Sequence, residues 1–169
     1  MASFNVALAW TLDNWEDPSH EYKKAPDAPP GAFAIAGINS AAWPEEFAAI
    51  NATPQVDRAV PVAAFYFKHF WTNWLSALTS DEVAKRVLDM AVNTVEKTAV
   101  KLLQQALNTF HINGPLVADG WWGPLTIGIA NGFDASSIVA AFQQLRVAHY
   151  KENDADSPLL PQLIARALD

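Results

Sequence analysis

The chain has 169 residues, 51% of them hydrophobic and 17% charged, which is enough for a well-buried core and too little charge for a disordered polymer. It contains no cysteine, so neither disulfides nor thiolate chemistry is open to it. A net charge of −7 without any Lys/Arg cluster repels polyanions, and nucleic acid is excluded as a partner.

Phe4, Leu8, Leu12 and Trp15 share one helical stripe, with Ser3 as N-cap, so residues 4–16 read as a first helix closed by Pro18. The start, MASFNVALAWTLDNWED, has no basic region before its apolar stretch and does not read as a signal peptide. Synthesis in the cytoplasm is the expectation. No apolar run reaches the roughly 18 residues of a membrane span, so stable membrane insertion is not expected. Residues 17–45, rich in proline, read as a long structured loop, a length that in compact domains is usually functional.

Thr53-Pro54 opens the next helical signal, which runs through the aromatic stretch AFYFKHFWTNWL (64–75) with Pro61 expected to kink or break it. Thr79 and Glu82 have capping-box spacing before a third helix, whose apolar stripe is Val83, Val87 and Ala91 beside Ala84, Leu88 and Val92. A fourth helix, 95–109, carries Ala99, Leu102, Leu103, Ala106 and Leu107. Residues 110–134 hold five of the seven glycines and a short helix at 124–131 opened by Gly-Pro. Asp134, Ser136 or Ser137 caps a helix through 150 with Ile138, Ala141, Phe142, Leu145 and His149 on its stripe, and a last helix lies near 159–168. No long period-2 run is present, so the fold class is mainly α, with about six or seven helices and an irregular loop after the first.

The four histidines, His20, His69, His111 and His149, form no H-x-x-x-H or H-x-x-E pair, and neither a metal nor any other cofactor is expected. His20, beside Glu21 and Asp17, reads more simply as part of a solvated polar loop. No G-x-S-x-G, P-loop or dinucleotide fingerprint occurs. Seven tryptophans exceed what a small core buries with every indole N–H satisfied; Trp15, Trp43 and one of Trp121 or Trp122 are assigned to a surface that stacks on sugar rings. Glu16 is the leading catalytic candidate. The negative helix end, the like charges of Asp13 and Asp17, and the water-excluding rings of Trp15 and Trp10 all favour its protonated form. A carboxylic acid that keeps its proton can protonate a glycosidic leaving oxygen. The competing reading is a solvated acid at a helix end.

Taken in order, ALAWTLDNWEDP, GINSAAWP, FKHFWTNWL, LDMAVNTVEKTAVKLLQQALN, DGWWGPLT and LRVAHY with a late Arg166 resemble the bacterial and phage N-acetylmuramidases of glycoside hydrolase family 108, also described as secretion activators. The resemblance implies a lysozyme-like helical fold that cleaves the bond between N-acetylmuramic acid and N-acetylglucosamine. It also implies a catalytic portion at 1–95 and a peptidoglycan-binding-like portion at 96–169, packed as one unit. Glu16, in NWEDP, takes the place of the family's catalytic glutamate, which ends its first helix. Where the family carries D-x-G-G-x-T before Gly-Ile, this chain reads PDAPPGAFAIAGIN, retaining Asp27 as the candidate second catalytic group, with Glu21 in reserve. Trp15, Glu21, Trp43, Asn93, Trp121 and Trp122 are the implied substrate-binding residues, and Asn93 is expected to hold helix 1 and its loop by hydrogen bonds rather than perform chemistry. Peptidoglycan strands are the expected partner of a monomer that acts at the cell wall or periplasm, exported with a holin-type partner. The alternative is a catalytically impaired relative that binds wall glycan or another protein.

Overall fold

The computed structural model describes residues 1–110 and 114–169; His111 lies outside the described residues. Contacts divide the chain into two compact units, Phe4–Trp71 and Met1–Ser3 with Thr72–Asp169. The architecture is mainly α, with nine α-helices and one small sheet among the described residues.

In the first unit, α1 (Phe4–Thr11) runs directly into a π-helical turn, Leu12–Glu16, closed by Asp17 N–H donating to Leu12 O at 3.0 Å. Such turns widen a helix at the cost of regular hydrogen bonding and are frequent at functional sites. The segment read as an irregular loop contains a three-stranded antiparallel sheet, β1 (Lys24–Asp27), β2 (Ala32–Ile35) and β3 (Ile38–Asn39). Lys24 pairs with Ile35 and Asp27 with Ala32, while Ile35 pairs with Ile38. The strands escape a periodicity reading because they are two to four residues long and β1 is exposed along its whole length. Helix α2 (Pro44–Ala52) was likewise not assigned, although Pro44 in its first turn and Glu45 and Glu46 beside it are ordinary start signals.

Helix α3 (Ala59–Phe70) begins late enough that Pro61 sits in its first turn, where a missing N–H costs no hydrogen bond. The expected kink is therefore replaced by a helix end at Trp71. Phe4 meets Phe67 edge-on at 5.1 Å, and Val62, Phe65 and Tyr66 supply the buried face of α3.

In the second unit, α4 (Asn73–Ala77) leads to α5 (Asp81–Asn93), α6 (Glu96–Asn108), α7 (Pro124–Gly132), α8 (Ala135–Asn153) and α9 (Leu160–Leu168). Helix α5, which the sequence reading put in the 1–95 portion, belongs to this unit and packs on α6 and α8. Its N-cap is Ser80, whose hydroxyl accepts from Val83 N at 3.3 Å; Thr79, the expected cap, bonds Asn131 instead. Asp134 caps α8 through Ser137 N at 2.9 Å.

The stripes on α5 and α6 are buried as their spacing predicts, whereas α8 is rotated so that Ile138, Phe142, Arg146 and Tyr150 face inward. Arg146 takes that place because Asp89, fully buried on α5, accepts from it at 2.5 Å and from Arg166 Nη2 at 2.7 Å. A buried charge is tolerated only when paired in this way. No single helix among the described residues is long and apolar enough to cross a membrane.

Candidate functional site

Glu16 closes the π turn and is half-buried. Its carboxylate is turned toward the β2–β3 turn, formed by Ala36 and Gly37 with φ of +46° and +73°. Two left-handed residues make the type I′ geometry that suits a two-residue hairpin. A Cβ on Gly37 would lie 2.8 Å from Glu16 Cδ and 2.8 Å from the Tyr66 hydroxyl, and closer still to Glu16 Oε2. Only glycine fits there, on grounds of both space and backbone. The Tyr66 hydroxyl donates to Ala36 O at 2.9 Å, so α3 fixes the turn against which the acid rests.

The chain leaving Glu16 is held under strain. His20 and Tyr22 have φ of +52° and +50°, a region costly for residues with a Cβ. Tyr22 N donates to Asp17 Oδ2 at 2.8 Å, and His20 Nε2 makes a short contact with Asp13 Oδ1. Arg58, buried, donates to the carbonyls of Tyr22 at 2.8 Å, Thr53 at 3.1 Å and Asn51 at 3.1 Å, pinning the loop to the α2–α3 connection. Burial, followed by the charges of Asp17 and Asp13, pushes the Tyr22 phenol above its usual range, so it remains a neutral hydrogen-bond donor near neutral pH.

Asp27 ends β1 and is exposed, its two oxygens accepting from Ala28 N at 2.8 Å and Asn39 Nδ2 at 2.7 Å. It lies three positions along β1 from Lys24, about 10 Å of strand, and Lys24's partner Ile35 adjoins the Ala36-Gly37 turn. Glu21 is exposed and pairs with Lys23 at 2.6 Å; that hydrogen bond and charge hold its carboxyl below the usual glutamate range. Trp15 is half-buried on the π turn. Trp43 precedes α2 inside an aromatic cluster, with His69 at 4.5 Å and Phe65 at 5.1 Å between ring centres.

Asn93, Trp121 and Trp122 belong to the second unit. Asn93 Nδ2 donates to the Tyr150 hydroxyl on α8 at 2.7 Å, so its bond ties α5 to α8 and not helix 1 to its loop. Trp121 is 66% exposed with Lys97 Nζ 5.1 Å from its ring centre, and Trp122 Nε1 donates to Glu96 at 2.9 Å. Buried Gln104 staples their loop to α6, donating to Trp121 O at 2.9 Å and accepting from Gly120 N at 2.9 Å. Tyr66, Gly37, Arg58 and Tyr22 were not singled out in the sequence. Gly37 stood in the quoted GINSAAWP segment, and Tyr66 is one aromatic among many.

The fold places the chain among mainly helical proteins with a small antiparallel sheet inserted after the first helix. It is similar to the solved structure of Brucella abortus SagA, with a TM-score of 0.66 and 20% identity over 98% of this chain and 93% of that one. No family model and no curated protein matches the sequence.

Proposed function

We propose that the chain is a peptidoglycan hydrolase, an N-acetylmuramidase that cleaves between N-acetylmuramic acid and N-acetylglucosamine with Glu16 as general acid. The observation that carries this reading is the setting of Glu16: a half-buried acid at the end of a π turn, seated on a glycine that no other residue could replace, beside the Tyr66 hydroxyl. A solvated acid at a helix end requires none of these constraints. The ordered sequence resemblance to family 108 muramidases and the fold shared with SagA support the same assignment.

In this reading Glu16 gives its proton to the leaving oxygen as the glycosidic bond breaks and the sugar gains oxocarbenium character. Asp27 is the candidate for activating water. Trp15 and Trp43 supply sugar-stacking surface in the first unit, Trp121 and Trp122 supply a separate one in the second, and the enzyme works as a monomer at the wall or in the periplasm, exported with a holin-type partner.

One observation favours a second reading. Both oxygens of Asp27 are engaged in holding its hairpin, which suits a relative that binds wall glycan, or a protein partner, without cutting. Incubating the protein and its Glu16→Gln variant with purified peptidoglycan, and following turbidity and reducing ends, separates the two. Hydrolysis predicts release that the variant lowers by about 10²–10⁴-fold. Negligible release from both, with the protein pelleting on the insoluble wall, assigns the binding role.

A further inference from the structure

Arg146 on α8 has no exposed surface, yet its guanidinium makes one hydrogen bond, from Nη2 to Asp89 Oδ2 at 2.5 Å. Its other nitrogens, Nε with one hydrogen and Nη1 with two, are buried and meet no acceptor among the described residues. Buried donors are almost always paired, and a charged donor without an acceptor costs more than a neutral one. The Phe142 ring is no substitute, because its centre lies 6.0 Å from Arg146 Cζ, the outer limit of a cation–π contact.

The charge of Arg146 is answered no better than its hydrogens. Asp89 is the carboxylate it touches, and the other oxygen of that group, Oδ1, accepts from Arg166 Nε at 3.0 Å and Nη2 at 2.7 Å. One negative charge is thus divided between two guanidiniums. Glu82, further back on α5, is committed to Arg86 at 2.7 Å. A buried cation with part of a counter-ion is costly, so the packing of α5, α8 and α9 around Arg146 favours a further negative charge at its open edge.

We infer that a monatomic halide, chloride in ordinary media, is held at Arg146 Nη1 in the interior formed by α5, α8 and α9. Water would answer the N–H groups and leave the charge. A polyatomic anion such as phosphate brings further acceptor oxygens, each needing a donor of its own in an apolar interior. Because Arg146 has no exposed surface, the ion enters as the helices pack, and its binding reads out as stability of the folded chain. The inference is independent of the muramidase reading, since Arg146 and Asp89 lie outside the unit that carries Glu16.

The test follows thermal unfolding of the full chain at constant ionic strength while chloride replaces gluconate, an anion too large for the site. For a dissociation constant of about 10 mM, going from about 2 to about 200 mM chloride lowers the unfolding constant roughly 17-fold and raises the melting temperature by about 3–7 °C. Arg146→Met keeps the pair of Asp89 with Arg166, puts an apolar chain in place of the guanidinium, and loses the chloride dependence. Glu16→Gln shows the parent's dependence, so a failure of hydrolysis leaves this result intact. Crystals of the parent grown in bromide give a readout that needs no variant: an anomalous peak within hydrogen-bonding distance of Nη1. A parent melting temperature indifferent to the exchange overturns the inference and leaves the N–H groups to water. A chloride dependence that survives in Arg146→Met, or bromide crystals without a peak at Nη1, overturns it equally.

Discussion

Replacing Gly37 by alanine tests whether the β2–β3 turn is the seat of Glu16. Two costs add. A Cβ at φ +73° carries a left-handed penalty of about 1–2 kcal/mol. The same Cβ would stand 2.8 Å from both Glu16 Cδ and the Tyr66 hydroxyl, and displacing them costs about 1–3 kcal/mol more. Gly31 is the internal control, because its φ is +92° and a Cβ there meets nothing within 4 Å. Gly31→Ala should therefore lose only the backbone part. At roughly 2–4 °C per kcal/mol for a chain of this size, Gly37→Ala lowers the melting temperature by about 4–20 °C and Gly31→Ala by about 2–8 °C. In the hydrolysis assay, moving the carboxylate by about 1 Å costs on the order of 10²-fold in Gly37→Ala and leaves Gly31→Ala unaffected. Equal melting shifts for the two variants would refute the steric argument, since backbone strain alone would then account for both.

Three further outcomes follow from packing and charge. Asp89→Asn leaves Arg146 and Arg166 without their buried counter-ion and should lose about 3–5 kcal/mol, read as a lower urea midpoint with an unchanged slope; a loss under about 1 kcal/mol would mean that water already screens the cluster. Ser80→Ala removes the α5 cap and should cost about 1 kcal/mol, more than Thr79→Ala, in thermal unfolding. Glu82 is held below the usual glutamate range by its hydrogen bonds and charge pairing with Lys85 first and Arg86 next. A lowered folded value means that its contribution is complete above the ordinary glutamate range and is lost as pH falls through the folded value. The melting difference between the parent and Glu82→Gln should accordingly close on acidification, and a gap independent of pH would contradict the pairing.

How legible each part was depended on how local its cause is. The stripes of α5 and α6 could be read because an amphipathic face is written at intervals of three and four, and burial followed it: Val83, Val87 and Leu88, then Ala99, Leu103 and Leu107. The rotation of α8 could not, because it rests on Arg146 meeting Asp89 across 57 residues, and an arginine inside a stripe argues locally for the surface. The sheet was hidden by its alanines and prolines, which are poor strand formers, and by a turn built from Ala-Gly in place of Asn-Gly. Glu16 was legible as an acid at a helix end. Its neighbours were not: the approach of Gly37 and Tyr66 joins three segments far apart in the chain, and no spacing rule relates them.

The distribution of strain bears on what Glu16 is for. Among the described residues, the three non-glycine residues with positive φ are His20, Tyr22 and Ala36, all in the segments that lead away from Glu16 or face it. Each costs on the order of 1–3 kcal/mol, and such costs persist only where surrounding contacts over-determine them. Arg58 supplies that support for Tyr22 with three hydrogen bonds to carbonyls, and Tyr66 supplies it for Ala36 with one. A buried arginine and a buried tyrosine are thus committed to holding a half-buried acid and its flanking turns in one arrangement, although the unit's core of Ile35, Ile38, Phe47 and Val62 does not require that acid. Stability alone would favour relaxing the turns with glycine or asparagine at positions 20, 22 and 36. Because the chain keeps residues with side chains there and braces them, the geometry at Glu16 is what the bracing preserves, and the proposed role as a proton donor would need such a fixed aim.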